Sequence, residues 1–225
     1  MTYSSDMVNW DSVFNESENF QKNSPFKFGF IENFFNSNFY NQLYQSYPSF
    51  ETFTDGSNLT KTQLVSFWGD CDETNNIVSD VEDSKYSSTW NSFKHYAHSE
   101  EFLENIRKFS QVSVSKLKQF NFIGYRKGGF QLPHIHNVGP TTIIMLLYFS
   151  KGWEPGDPGG TYLASDTDES KIIFEPYNLD NTCAIFHDSP FSAHGVRYIK
   201  KNIERRGVQL VFEGFDDKDG WSSTV

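Results

Sequence analysis

The chain has 225 residues and a formal net charge of −10. An acidic chain is poorly suited to nucleic acid, because phosphate binding needs clustered Lys and Arg. Only two cysteines are present, at positions 71 and 183, so no disulfide framework is indicated and a reducing cytoplasm is the expected location. The N-terminus is polar and acidic, unlike a signal peptide, and no apolar run is long enough to span a bilayer. We therefore expect neither a nucleic-acid partner nor a membrane partner.

The first part of the chain predicts two helices with irregular segments around them. Residues 1–24 are polar and are expected to be loosely held. Phe26–Phe35 predicts an edge strand, and the segment from Phe39 to Tyr47 repeats aromatic and apolar residues at helical spacing. A second helix is predicted from Glu100 to Gln119, with Ser99 as its N-cap.

Residues 50–89 are rich in Asp, Ser, Asn and Thr, which indicates long loops with short ordered pieces. Loops of this kind commonly carry substrate contacts, so this segment is a candidate lid near a functional site. Trp68 and Trp90 are expected to hold it against the core.

From residue 121 the period changes to that of short strands separated by turn residues. The predicted strands are Asn121–Arg126, Phe130–His136, Thr141–Ser150, Gly160–Ser165, Lys171–Pro176, Thr182–Asp188, Ser192–Tyr198 and Arg206–Gly214. Eight such strands predict a mainly β fold, a double-stranded β-helix or jelly roll with N-terminal supporting helices. We expect a single domain over residues 1–225, with support before the core (1–120), the core itself (121–214) and a peripheral tail (215–225).

Three histidines stand out within the predicted core. His134 and His136 are two residues apart on a strand, so their side chains point to the same face. His194 lies near the end of another predicted strand and is a candidate third ligand. Three protein ligands leave positions open on a metal ion, which is typical of a catalytic site rather than a structural one.

Candidate residues for an organic ligand lie on the same strands. Arg206 alternates with Val208 and Leu210, so it is expected to share their buried face. A buried guanidinium needs a partner, and Arg binds carboxylates through a bidentate fork. Tyr148 and Tyr125 can face the same cavity, although each can equally be a packing residue.

Taken in order, residues 125–212 resemble the catalytic core of the Fe(II)- and 2-oxoglutarate-dependent dioxygenases, in particular the prolyl 4-hydroxylase-like branch. The matching segments are residues 128–134, 147–153, 159–160, 175–176, 185–196 and 206–212. Each segment alone is a weak signal, whereas their common order and spacing over about 90 residues is a strong one.

The resemblance implies a role for each matching residue. His134 and His194 would ligate iron, and Arg206 would pair with the far carboxylate of 2-oxoglutarate with help from the Tyr148 hydroxyl. Tyr125 would line the cosubstrate pocket. The implied reaction uses O2 to hydroxylate a peptidyl side chain or a small molecule while 2-oxoglutarate is decarboxylated to succinate. The negative charge of the chain favours a neutral or basic substrate.

The chain departs from the family pattern at one position. Where the family has His-x-Asp or His-x-Glu, this sequence has His134-Ile135-His136, and Asn137 is one residue out of phase. Three alternatives remain open. His136 can bind iron as a neutral third ligand, or it can turn away and leave an open position. In the third alternative the site is degenerate and the chain is a non-catalytic metal-binding jelly-roll module.

Overall fold

The computed structural model describes residues 6–68, 78–136 and 138–214. The predicted tail over residues 215–225, together with Cys71 and Asn137, lies outside these ranges. Within the described ranges, no helix has the length and apolar character needed to cross a membrane.

The described residues form two antiparallel sheets that face each other. The strands are β1 Phe28–Glu32, β2 Thr54–Asp55, β3 Lys61–Thr62, β4 Leu64–Phe67, β5 Lys116–Tyr125, β6 Phe130–His134, β7 Thr142–Phe149, β8 Thr161–Ala164, β9 Ile172–Phe174, β10 Asp180–His187, β11 Ala193–Val196 and β12 Arg205–Glu213. The larger sheet has the order β1-β10-β7-β12-β5-β4-β2, and the smaller one has the order β3-β6-β11-β8-β9. The eight predicted strands correspond to β5–β12, four in each sheet, which confirms the predicted jelly-roll fold.

Five α-helices in the described ranges support the larger sheet. They are α1 Trp10–Asn15, α2 Ser17–Lys22, α3 Ser37–Gln45, α4 Ser88–His98 and α5 Glu100–Ser110. The edge strand and the helix predicted after it are confirmed as β1 and α3. Trp68 and Trp90 are buried as expected.

The N-terminal segment is more ordered than its polar composition predicted. It forms α1 and α2, and Val13 and Phe20 are fully buried. The Phe20 ring packs 4.8 Å from that of Phe109, and the Ser17 hydroxyl donates a hydrogen bond to the Phe109 carbonyl. The prediction of a loosely held segment is wrong because a few apolar side chains and one helix-capping contact are enough to dock two short helices.

The second predicted helix ends nine residues earlier than expected. α5 stops at Ser110, and Gln111 takes a left-handed conformation with φ of 55°. Its backbone N–H donates to the Arg107 carbonyl and closes the helix. The chain is then free to enter β5 at Lys116, so residues 116–119 belong to a strand rather than to a helix.

The larger sheet is buried on both faces. One face packs against the helices through Val208, Leu210 and other apolar side chains of β5, β7, β10 and β12. The other face lies between the two sheets and includes Leu146, Tyr148 and Val211. Alternate residues of one strand therefore enter two different buried layers, and both layers contain apolar side chains.

Residues 54–67 close one side of the barrel. β2 and β4 extend the larger sheet, while β3 pairs with β6 at the edge of the smaller sheet. The prediction of short ordered pieces in this segment is confirmed, and the crossing from one sheet to the other brings Lys61 and Gln63 to the interior.

Tyr47, just after α3, connects the helical layer to β12. Its hydroxyl donates to the Gly207 carbonyl over 2.8 Å and accepts from the Gly207 N–H over 3.2 Å.

We expect Tyr47→Phe to lower the free energy of unfolding by about 1–3 kcal/mol, because two buried backbone groups lose their partner. Tyr44→Phe is the matched control, since the Tyr44 hydroxyl makes no hydrogen bond in the described part of the chain. Equal urea midpoints for the two variants would contradict this role for Tyr47.

Candidate active site

The three predicted histidines meet at one end of the barrel interior. His134 ends β6 and is the cross-strand partner of His194 on β11. His136 follows two residues after β6. His194 is buried, His134 is half-buried and His136 is exposed at the mouth. Their ring centroids are 4.3 to 4.9 Å apart, and one nitrogen from each ring lies within 4.8 Å of the others.

Hydrogen bonds select the tautomer of two of these rings. The Nδ1 atom of His134 lies 3.2 Å from the Leu132 carbonyl oxygen, and that of His194 lies 3.0 Å from the Ser192 carbonyl oxygen. A carbonyl can only accept, so each Nδ1 carries the hydrogen and each Nε2 keeps its lone pair. These lone pairs are the metal-binding atoms of neutral imidazole.

Burial keeps the cluster in its neutral form. It lowers the pKa of His134 to about 4, and it lowers the pKa of His194 well below the usual value, with the charges of His134 and His136 adding to the effect. The pKa of His136 is also lowered by desolvation, although the negative charge of Asp188 opposes this shift. Metal ions bind the deprotonated ring, so these shifts favour ligation.

The spacing of the nitrogens fits a single metal ion. The Nε2 atoms of His134 and His136 are 3.0 Å apart. Two nitrogen ligands at right angles, each about 2.1 Å from an ion, are separated by about 3 Å. In the structure His136 therefore turns toward the cluster rather than away from it. His187 lies apart, with Nε2 2.7 Å from the Pro140 carbonyl oxygen.

Asp188 is a buried carboxylate behind the cluster that sequence reasoning missed. It accepts hydrogen bonds from the Val138 N–H, two residues after His136, and from the Ser192 hydroxyl at 3.1 Å. Ser192 also supplies the carbonyl that orients His194. Asp188 thus ties together the backbone segments beside two of the three histidines, and it places a negative charge near them.

The structure corrects the prediction that Arg206 faces the cavity. Arg205 is 1% exposed and lines the cavity, whereas Arg206 points to the opposite side of β12 and bonds Glu204 through Nε and Nη2. The predicted pairing of Arg206 with Val208 and Leu210 on one face is right, but that face packs against the helices. The apolar pattern could not distinguish the two faces because both are buried.

Arg205 is surrounded by neutral groups. Its Nε donates to the Gly159 carbonyl over 3.1 Å, and its Nη2 donates to Thr161 Oγ1 over 2.8 Å. Its guanidinium carbon lies 5.0 Å and 4.8 Å from the ring centroids of Tyr125 and Tyr148. No carboxylate pairs with it in the described part of the chain. A Cβ on Gly207 would lie 2.8 Å from Nη1, so the absence of a side chain there makes room for the guanidinium.

Tyr125 and Tyr148 flank the guanidinium of Arg205, not that of Arg206, with which the resemblance grouped Tyr148. The Tyr148 hydroxyl accepts a hydrogen bond from the Thr161 N–H at 3.1 Å, and burial raises its pKa. The Tyr125 hydroxyl lies 2.9 Å and 3.0 Å from the side-chain amides of Gln63 and Gln131, and burial raises its pKa to about 12. Both hydroxyls stay protonated at neutral pH.

One cavity of about 550 Å³ contains these groups. Arg205, Thr161 and Tyr125 line it together with the three histidines. Gln131 links the two ends of the site, since its amide nitrogen lies 3.4 Å from His134 Nε2. Gln63 lies between β3 and β4, and Gln131 lies on β6 three residues before His134. Neither residue was singled out from the sequence, and the folded chain brings both to the cavity.

Comparison with known proteins identifies the fold. No protein family model matches the sequence, and no curated protein is detectably similar to it. Solved structures do match. A prolyl-4-hydroxylase from Pseudomonas putida aligns over 91% of this chain and 100% of its own, with a TM-score of 0.65 and 11% identity. The chain has the fold of the 2-oxoglutarate/Fe(II) oxygenases.

Two further structures with this oxygenase fold illustrate its range. A Trichoplax adhaerens prolyl hydroxylase, solved with a hypoxia inducible factor peptide fragment, has a TM-score of 0.60 and 15% identity over 96% of this chain and 92% of its own. HygX from Streptomyces hygroscopicus, solved with nickel, 2-oxoglutarate and hygromycin B, has a TM-score of 0.59 and 11% identity over 88% of this chain and 86% of its own. The shared oxygenase fold therefore accommodates different ligands, and the substrate has to be inferred from the site.

The buried charge of Asp188 generates a prediction about metal affinity. Asp188→Asn keeps the shape and can keep both hydrogen bonds, but it removes the negative charge that acts on His136. We expect the affinity for Zn(II), measured by competition with a fluorescent chelator, to fall about ten- to a hundredfold. Asp11→Asn on α1 removes the same charge from an exposed position and should leave the affinity unchanged. Equal affinities in the two variants would show that Asp188 does not support the cluster.

Proposed function

We propose that this chain is an Fe(II)- and 2-oxoglutarate-dependent dioxygenase that hydroxylates a peptidyl side chain or a small molecule. One observation carries the proposal: a buried guanidinium without an acidic partner in the described residues shares a cavity with three converging imidazoles. A buried cation is costly unless it is paired, and a dicarboxylate that also chelates a metal would supply the missing partner.

The bound groups would supply the oxidising chemistry: 2-oxoglutarate and O2 yield succinate and CO2 while a substrate C–H bond becomes C–OH. His134, His136 and His194 would hold Fe(II). Because all three are neutral, the metal would keep one more unit of positive charge than it has with a carboxylate ligand. Asp188, buried behind the cluster, would balance part of that charge.

Arg205 would bind the far carboxylate of 2-oxoglutarate, the role that the resemblance assigned to Arg206. Its Nε and Nη2 already donate to Gly159 and Thr161, so the remaining N–H groups of the fork are available to an incoming carboxylate. The Tyr148 hydroxyl accepts from the Thr161 N–H and keeps its own proton, which it can donate to the same carboxylate.

Tyr125 would form a wall of the cosubstrate pocket rather than a direct ligand. Its hydroxyl is occupied by Gln63 and Gln131, and its ring lies against the Arg205 guanidinium. Gln131 would keep its contact with the Tyr125 hydroxyl but would release His134 Nε2, because that nitrogen would ligate the metal.

A second candidate function is a metal-binding jelly-roll module without catalysis. The observation that favours it is the third histidine, which replaces the acidic ligand of the family pattern. Such a module has no need of a buried arginine in the same cavity, so 2-oxoglutarate binding distinguishes the two functions.

The paired arginines provide a matched test of the cosubstrate site. We expect Arg205→Ala to weaken 2-oxoglutarate binding about a hundred- to several-thousandfold, because a buried carboxylate would lose its cation. Arg206→Ala removes a neighbouring charge that faces away from the cavity and should change the affinity less than about threefold, as for other half-exposed ion pairs. Affinities would be measured by anaerobic calorimetry on Fe(II)-loaded protein.

Arg205→Lys is a second test that remains informative if the alanine variant misfolds. It retains the charge but loses the fork, so it should bind with intermediate affinity. Unchanged binding in Arg205→Ala, or equal losses in Arg205→Ala and Arg206→Ala, would refute the assignment.

The part played by His136 can be read from a spectrum. Under anaerobic conditions, adding 2-oxoglutarate to Fe(II)-loaded protein should produce the visible charge-transfer band of an iron–oxoacid chelate. We expect the band to weaken in His136→Ala, because one of the three nitrogens that converge on the site is removed. A band of equal strength in both proteins would leave His136 outside the ligand set. No band in either protein would favour the metal-binding module.

A further inference from the structure

Three side-chain amides occupy the part of the cavity away from Arg205. Gln209 on β12 is the cross-strand partner of Asn121 on β5. Gln119 lies two residues before Asn121 on the same strand. All three line the cavity. They form a cluster of carboxamides on the inner face of the larger sheet.

The carboxamide cluster lies at the histidine end of the barrel. The ring of Phe186 is 4.9 Å from that of His194. Phe186 pairs with Ile144, Ile144 pairs with Val211, and Val211 pairs with Gln119. This row places the carboxamides at the same level along the barrel as the histidines, and both groups line one cavity.

Arg205 is at the opposite end of the same strands. It pairs with Tyr125 on β5, and Gln209 is the fourth residue after it on β12. At about 3.3 Å per residue, the two side chains are roughly 13 Å apart along the strand. A cosubstrate held by Arg205 and the metal would therefore leave the carboxamide cluster to a second molecule.

The cluster has unused hydrogen-bonding capacity. Asn121 is 5% exposed, and its Oδ1 atom is buried without a partner. Gln119 and Gln209 make no side-chain hydrogen bond within the described part of the chain. Leaving a buried amide unpaired is unfavourable, so a ligand that brings O–H groups would bind here better than an apolar one.

The charge of the cavity restricts the ligand further. No Asp or Glu lines it among the described residues, and its fixed cations are Arg205 and Lys61. Lys61 has no ion pair with a described residue, and it lines the same cavity as the histidines. Among the lining side chains, a cationic substrate would meet like charge and no acidic partner, contrary to what the net charge of the whole chain favours.

We propose that Gln119, Asn121 and Gln209 bind a neutral, polyhydroxylated group of the substrate, such as a sugar or polyol ring, and hold it beside the histidine cluster. This inference rests on the proposed function and narrows its substrate class. Hydroxyl groups both donate and accept, which matches carboxamides that offer one acceptor and two donors each. An apolar prolyl ring would leave the Asn121 oxygen unpaired, so the substrate differs from that of the prolyl hydroxylases with the same fold.

The test uses three small probes: glucose, glucosamine and N-acetyl-L-prolinamide. Zn(II) replaces Fe(II), so that the protein is diamagnetic and does not turn over. Binding of each probe is titrated by saturation-transfer NMR, with and without 2-oxoglutarate. We expect glucose to bind at least about tenfold more tightly than either other probe, since glucosamine adds a like charge and the prolyl probe leaves a buried amide unpaired.

Variants test whether glucose binds at the carboxamide cluster. Asn121→Leu and Gln209→Leu should each weaken glucose binding about tenfold, the consequence of one unmade hydrogen bond to a buried group. Neither should change 2-oxoglutarate affinity, which also reports that each variant is folded. Asn41→Leu, on the exposed side of α3, is the control and should bind glucose like the wild type.

The outcomes separate this inference from the proposed function. If 2-oxoglutarate binds but glucose does not, or if N-acetyl-L-prolinamide binds more tightly than glucose, the carboxamide cluster is not a polyol site and the dioxygenase assignment stands. Equal glucose binding in the wild type and both leucine variants would overturn the inference in the same way. If glucose binds as expected but 2-oxoglutarate does not, the dioxygenase assignment fails.

Discussion

The burial of one guanidinium is the constraint on which the rest of the site depends. Arg205 is 1% exposed, and the groups around it come from both sheets: Thr161 from the smaller, Tyr125 and Tyr148 from the larger. A cation in such a position is tolerated only when polar atoms and aromatic faces surround it and a negative group can reach it. Gly207 contributes by having no side chain, since a Cβ there would meet the guanidinium. The register of β12 against its two neighbours therefore determines whether an anion-binding end exists at all.

The histidine cluster has the opposite electrostatic problem, which is a lack of negative charge. Three neutral imidazoles converge, but none brings the negative charge that an acidic ligand would add. The fold places that charge one layer further out, on Asp188, whose carboxylate joins the segment after His136 to the segment before His194. Groups behind the ligands of a metal site tune both its orientation and its charge. In this chain, the Asp188 carboxylate can supply part of the negative charge that an acidic ligand would bring.

The cavity is thus divided into chemically distinct parts. One end is cationic and aromatic, and the other end carries the histidines together with carboxamides on the inner face of the larger sheet. This lining is independent of the overall charge of −10, because the acidic residues of the described chain lie outside the cavity. Solved structures of the same fold hold a peptide fragment or hygromycin B, so the fold alone does not specify the ligand.

The sequence by itself determined the eight strands of the barrel, the three histidines and the two tyrosines, because strand alternation and turn residues are local signals. The tertiary structure decided which of two adjacent arginines enters the cavity. Both faces of β12 are buried, one under helices and one inside the barrel, so Val208 and Leu210 marked a core face that is not the one facing the cavity. The tertiary structure also decided that Asp188 lies beside the histidines and that the carboxamides line the cavity. Each of these residues is ordinary in sequence and acquires its chemistry only from partners on strands far along the chain.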